Sequence, residues 1–306
     1  MPHRFYTLDV FTTTGLAGNP LAVVLDADDL DTARMQAITR EFNLSETIFV
    51  LKPTAPMHNA AVRIFTPKRE LPFAGHPTVG VAALLGHLKF ADADRVSERD
   101  VMVLLEEKIG LVRAGVKLIE GRAPYAVFDL PKLPEEEREA PAKPKLARAL
   151  GLMDSDLCFD NHQPMCASAG VPFVYVPVRD REALGRCKVN RVYWDELFAD
   201  LGIGAVFIYC RDPESTEHHF RARMFAPSMG VDEDPATGAA AAGFAAVLER
   251  FEPLRDGLHQ FVVEQGYEMG RPSQIHLEVD LVAGALKNAR IGGHAVIVQQ
   301  GTLLTR

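Results

Sequence analysis

Long apolar runs are missing from this sequence. A bilayer span needs about 20 consecutive apolar residues, and none of the 306-residue chain supplies them. Basic charge is also scarce: 33 Lys and Arg stand against 41 Asp and Glu, a net charge of -8. A nucleic-acid footprint needs a basic surface, so neither nucleic acid nor membrane is an expected partner. Cysteine is sparse, with Cys158, Cys166, Cys187 and Cys210 in no Cys-x-x-Cys or zinc spacing. They are expected to be free and partly buried. No glycine-rich loop follows a strand in Rossmann or P-loop spacing, which removes the signal for a nucleotide cofactor. A Gly-x-Ser-x-Gly elbow is absent too. His218-His219 is an adjacent pair whose side chains would diverge on a strand, so a shared metal is not expected. The opening Met1-Pro2-His3-Arg4-Phe5-Tyr6 lacks the apolar core of a signal peptide. These absences make the cytoplasm the expected location, with no cofactor and no metal.

What the chain does carry is a stretch unusually poor in polar side chains. Arg223-Met-Phe-Ala-Pro227 reads as strand and loop. Asp234-Pro235 then fits an N-cap and first helical residue. From Ala236 to Leu248 the helix shows no polar face. A helix apolar all round must be enclosed, and about 14 residues is too short for lipid. A buried helix start presents N–H groups and a positive dipole end that suit an anion.

The arrangement occurs twice. Arg63-Ile-Phe-Thr-Pro67 matches Arg223 to Pro227, and Gly75-His76-Pro77-Thr78-Val79-Gly80 stands where Asp234-Pro235-Ala236-Thr237-Gly238 stands. His76 would be the cap and Pro77 the first helical residue, before an apolar run from Val79 to Leu85. The repeat implies a duplicated α+β fold, with two helix starts facing one cleft between pseudo-symmetric halves. The boundary falls in the Pro-, Glu- and Lys-rich segment Pro131 to Pro144, read as a solvated connector. The halves are therefore 1–130 and 131–306, with the final strand near 293–306 a candidate to pack back on the first half.

Between the repeats, Asp31 or Thr32 caps a helix through Phe42, and Asn43 can end it. Leu44 to Val50 is a strand, and period-two parity puts Glu46 on a face with Leu44, Ile48 and Val50. A carboxylate on that face is either desolvated, and then suited to general-base work, or placed at a wet strand mouth. Asp234 and His76 are each either functional groups or plain helix caps. Arg63 and Arg223 could bind a substrate carboxylate or lie on strand surfaces.

Taken together, Gly18-Asn-Pro-Leu-Ala-Val-Val24, Asn43-Leu-Ser-Glu-Thr-Ile-Phe-Val50, Leu71-Pro-Phe-Ala-Gly-His-Pro-Thr78, Met224-Phe-Ala-Pro227 and Glu233-Asp-Pro-Ala-Thr-Gly238 resemble the phenazine-biosynthesis PhzF-like family. The resemblance runs in order over nearly the whole chain. It implies the diaminopimelate-epimerase-like fold: two similar halves, each a β-barrel-like sheet around a central apolar helix. It further implies Glu46 as the proton-transfer catalyst, with His76 and Asp234 assisting. Ser45, Gly75, Thr237, Gly238 and Ala239 line the implied cleft. Where the family motif usually continues with serine, this chain has Ala239, one hydroxyl fewer. The implied activity is a cofactor-independent isomerase moving a proton on a small anionic, carboxylated substrate, in a homodimer. Two alternatives stay open: a catalytically silent binding protein on the same fold, and a two-base epimerase using Glu46 and Asp234. A two-thiol racemase is disfavoured, because no cysteine lies at either helix start.

Overall fold

The computed structural model describes residues 2–90, 97–199 and 201–304. It separates into two compact units, residues 1–131 with 291–306, and residues 132–290.

The first unit opens with β1 (His3–Val10) and β2 (Asn19–Val24), paired antiparallel with Val10 opposite Asn19. Next comes α1 (Thr32–Phe42). The Asp31 carboxylate accepts the Arg34 N–H at 2.7 Å, satisfying one orphan donor of its first turn. Asn43 ends it in the left-handed conformation at φ 51°, which Asn tolerates well. Met35 and Ile38 bury that helix against Val24, Phe49 and Phe65. β3 (Glu46–Leu51) lies parallel to β2, and β4 (Ala60–Phe65) antiparallel to β3. The short β5 (Glu70–Leu71) folds back on the end of β4. After α2 (Gly75–Phe90), β6 (Glu98–Glu107) runs parallel to β4, then hairpins into β7 (Gly110–Ile119), which pairs with β8 (Tyr125–Asp129).

The chain's final strand, Ala285–Leu303, enters this unit at Ile291 and pairs with both β8 and β1. Among the described residues, that strand closes a barrel of eight with β1, β2, β3, β4, β6, β7 and β8. α2 packs against β1, β2, β3, β6, β7 and β8, so it fills the barrel. That placement explains a helix buried from Gly75 through Leu84 with no solvent face. A Cβ on Gly80 would come within 2.5 Å of Leu21, and one on Gly86 within 2.9 Å of Val116. Small residues let the helix sit this close to the wall.

The second unit repeats the plan. β9 (Glu135–Arg138), β10 (Met165–Ser168), β11 (Pro172–Pro177), β12 (Val206–Cys210), β13 (Phe220–Ala226), β14 (Val231–Asp234), β15 (Gly257–Gln265) and β16 (Ser273–Val282) form its sheet. Its parallel pairs are β11 with β12 and β13 with β15, as β2 with β3 and β4 with β6 are in the first. Three short helices, α3 (Lys143–Ala149), α4 (Arg181–Arg186) and α5 (Arg191–Phe198), cover one face and bury Trp194. α6 (Gly238–Phe251) packs on β9, β10, β11 and β16 and is buried from Ala240 to Leu248. Ala283 and Gly284, at φ 54° and 76°, turn β16 into the final strand. Two consecutive positive φ angles are what a type I′ hairpin turn requires.

Two local expectations are corrected. The Pro131–Pro144 segment is not only connector: β9 lies within it and pairs with β10, Ser168 opposite Glu135. Its four side chains are all exposed, since strand pairing uses the backbone and charged edge residues suit solvent. Both enclosed helices also begin elsewhere than expected. α2 starts at Gly75, so His76 is its second residue and not the cap. α6 starts at Gly238 with Thr237 as N-cap, three residues after Asp234. Asp234 instead ends β14, opposite Met224 of β13.

Candidate active site

Glu46 is the first residue of β3, opposite Leu21 of β2, with its side chain 17% exposed. Its Oε2 lies 3.4 Å from Nε2 of His76. His76 is 5% exposed in the first turn of α2, and burial pushes its imidazole down to about 3. The ring is therefore uncharged at neutral pH, and the approach is not an ion pair. The geometry also falls outside a hydrogen bond at His76 Nε2. A neutral imidazole beside a carboxylate can relay a proton, accepting at one ring nitrogen as the other gives one up. Ser45 precedes β3 and is half-buried; Gly75 opens α2 and is buried. Thus the first unit brings together Glu46 and His76, flanked by Ser45 and Gly75. Pro77 has no N–H, and Thr78 N–H already bonds Ala74 O at 3.2 Å. The first turn of α2 keeps the Gly75 and His76 amides outside its own ladder.

The second unit assembles Asp234, Thr237, Gly238 and Ala239. Thr237 Oγ1 donates to Asp234 Oδ2 at 2.5 Å. The Thr237 N–H donates to Gln265 Oε1 at 3.0 Å, while Gln265 Nε2 donates to Asp234 O at 2.7 Å and to Thr237 Oγ1 at 2.9 Å. Gln265 thus performs the capping expected of Asp234. Gly266 makes this possible: at φ 79° it curls the chain, and a Cβ there would meet Pro235 O at 2.5 Å. The first intrahelical bond runs from Ala241 N–H to Thr237 O at 3.0 Å. The Gly238, Ala239 and Ala240 amides consequently have no intrahelical acceptor. Gly238 is buried and Ala239 half-buried.

The repeated arginines pair with carboxylates of their own unit, and Arg223 is buried and not on a strand surface. Arg63 forms a fork with Glu70 at 2.7 and 2.8 Å. Arg223 does the same with Glu233 at 2.7 and 2.9 Å, and also donates to the Leu184 and Cys187 carbonyls. Both are structural clamps in equivalent places. His218 and His219 diverge, one to Glu264 and one accepting from Val262 N–H. Among the described residues, no group of three or more His, Cys, Asp or Glu could hold a metal ion. The four cysteines are free thiols, and burial pushes Cys166 up to about 11 and Cys187 and Cys210 to about 12.

Residues 8–301 match the family model described as phenazine biosynthesis-like protein. The chain belongs to that family. It is 48% identical over 307 residues to an uncharacterized isomerase of Mesorhizobium japonicum, covering 99% of each chain. A trans-2,3-dihydro-3-hydroxyanthranilate isomerase of Pseudomonas aeruginosa is 34% identical over 300 residues, covering 98% of each. Among solved structures, a PhzF-family phenazine biosynthesis protein of Bacillus anthracis superposes with a TM-score of 0.86 over 100% of each chain, at 26% identity. Both of those curated relatives are named isomerases, and this chain is an isomerase of the PhzF-like fold. No helix among the described residues is long and apolar enough to cross a membrane.

Two residues of these sites escaped the sequence reading: Glu107 at the end of β6 and Gln265 at the end of β15. The signal for them was the duplication itself. Val103-Leu-Leu-Glu-Glu107 and Phe261-Val-Val-Glu-Gln265 end the corresponding strands of the two units.

Proposed function

We propose that this protein is a cofactor-independent isomerase that shifts a proton on a small carboxylated substrate by acid–base catalysis. The observation that carries the reading is the half-buried Glu46 carboxylate, 3.4 Å from an imidazole that burial keeps neutral. Glu46 takes the proton from an activated carbon and returns it to another carbon of the same conjugated system. His76 relays a proton to or from a heteroatom, taking one up at one ring nitrogen as it gives one up at the other. Asp234 orients a polar group of the substrate, with Thr237 fixing its carboxylate through the 2.5 Å hydrogen bond. Each unit offers helix-start amides that suit negative charge: Gly75 and His76 on α2 in one, Gly238 and Ala239 on α6 in the other. Ser45 completes the lining beside Glu46.

General acid–base catalysis contributes about 10²–10⁴-fold, so positioning and helix-start electrostatics supply the remainder. The relatives named above make trans-2,3-dihydro-3-hydroxyanthranilate the first compound to try, followed by other small unsaturated carboxylates. Incubation in D₂O should wash solvent deuterium into a true substrate. Glu46→Gln should still bind that compound and exchange nothing. A binder without turnover would exchange nothing in the unaltered protein, and an epimerase would exchange while erasing optical rotation.

A further inference from the structure

Glu107 is the buried acid that the reading above leaves unused. It ends β6, is 8% exposed, and its Oε2 has no hydrogen-bond partner. Its Oε1 lies 2.8 Å from Thr78 Oγ1, and the same hydroxyl lies 2.8 Å from Ala74 O. A hydroxyl has one hydrogen. Thr78 can give that hydrogen to Ala74 O or to Glu107, not fully to both. Both contacts are hydrogen bonds at once only if the Glu107 carboxyl supplies a second proton.

The other unit shows the same relay with the proton donor fixed by chemistry. The two strands are in register, Ala61 opposite Glu106 and Arg221 opposite Glu264. Glu106 accepts the Thr54 and Ala55 amides at 2.9 and 3.0 Å and faces His58 Nδ1 at 2.7 Å. Glu264 accepts the Glu214 and Ser215 amides at 2.7 and 2.9 Å and faces His218 Nδ1 at 2.7 Å. The next residue is Glu107 in one unit and Gln265 in the other. Gln265 Nε2 donates to Thr237 Oγ1, and that hydroxyl donates onward to Asp234. An amide N–H therefore stands where Glu107 has its carboxyl.

We propose that Glu107 is a positioning residue working as an uncharged acid, whose O–H holds Thr78 and through it the Ala74–His76 turn at the start of α2. The charged residues around it are engaged elsewhere. Glu106 binds the Thr54–His58 loop, Lys108 of the β6–β7 turn and Arg63 of β4 both pair with Glu70, and α2 carries the neutral His76 in its first turn, with His87 and Lys89 in its last. Burial accordingly pushes the Glu107 carboxyl up to about 8. The proposal adds to the role given His76 above, but the protonation state it asserts stands or falls without any substrate.

The test uses the full chain without ligand. The infrared spectrum at pH 6 should contain a protonated-carboxyl band that disappears in Glu107→Gln. Near pH 4.5, before the wild-type acid begins to lose its contribution, that variant should keep the wild-type urea midpoint and His76 imidazole NMR signals, because its amide can donate to Thr78 as Gln265 does to Thr237. Glu107→Ala should shift the His76 signals and raise the unfolding constant by about tenfold or more, as a buried partner is lost; failure to fold counts as that loss. An unchanged spectrum in Glu107→Gln would overturn the proposal. So would a Glu107→Gln protein as unstable as Glu107→Ala.

Discussion

Enclosing α6 requires a glycine at position 243, and the cost of filling it can be worked out. Tyr175 is fully buried on β11 and its hydroxyl donates to Ala240 O at 2.8 Å. A Cβ on Gly243 would stand 2.1 Å from that hydroxyl oxygen and 3.1 Å from the ring carbon bearing it. In Gly243→Ala the ring must move. The displaced, buried hydroxyl loses its partner, costing about 1–3 kcal/mol. Overpacking adds about 1–3 kcal/mol, and the better helix propensity of Ala returns about 1 kcal/mol. The sum is a loss of about 1–5 kcal/mol, read as a lowered urea midpoint at unchanged slope. Tyr175→Phe alone should cost about 1 kcal/mol, since Ala240 O is also positioned for its own helical bond. In the double variant the 2.1 Å collision has no atom to collide with. The double should therefore be more stable than the two single losses added together, by more than about 0.5 kcal/mol. Strict additivity, or a Gly243→Ala protein as stable as the wild type, would refute this account of how the helix is enclosed.

Further outcomes follow from the same geometry. Stability should fall on both sides of mildly acid pH. His76 is depressed from 6.5 to about 3, so its contribution is complete above 6.5 and is lost as pH falls toward 3. Glu107 is raised from 4.5 to about 8, so its contribution is complete below 4.5 and is lost as pH rises toward 8. Each slope is at most about 1.4 kcal/mol per pH unit, and between 4.5 and 6.5 the two oppose each other. Glu107→Gln should flatten the alkaline limb and leave the His76 slope unopposed below pH 6.5 in urea titrations run from pH 5 to 9; an unchanged alkaline limb would contradict the assignment. Arg223→Met leaves Glu233 and two buried carbonyls without their donor. It should cost about 3–5 kcal/mol, measured by the same denaturation, and a loss below 1 kcal/mol would argue against the clamp. Thr237→Val removes the 2.5 Å hydrogen bond to Asp234. Its effect should fall on turnover more than on thermal midpoint, and equal wild-type turnover would detach Asp234 from the site.

Much of this was legible where one residue type has one physical job. Asp31 and Asn43 bracket α1 because a short carboxylate caps amides and Asn accepts positive φ. The two apolar helices announced their enclosure because no other environment suits a helix without a polar face. Glu46 and His76 were legible through motif order, and the structure places them 3.4 Å apart. The helix starts were misplaced because Asp-Pro and His-Pro are strong local signals that tertiary partners override. Gln265, 28 residues beyond Thr237, takes the N–H that Asp234 would have capped. Glu107 was invisible for the same reason: a Glu-Glu-Lys run reads as solvated surface until the register of β6 turns one carboxyl inward. β9 was missed because four charged residues carry no burial pattern.

The central claim is that Glu46 moves a carbon-bound proton. Its most direct measurement is deuterium uptake from D₂O into the substrate candidates named above, followed by mass spectrometry for the wild-type protein and Glu46→Gln. The account predicts incorporation at a carbon in the wild type and none above background in Glu46→Gln, with binding retained. Incorporation by Glu46→Gln at the wild-type rate would contradict it.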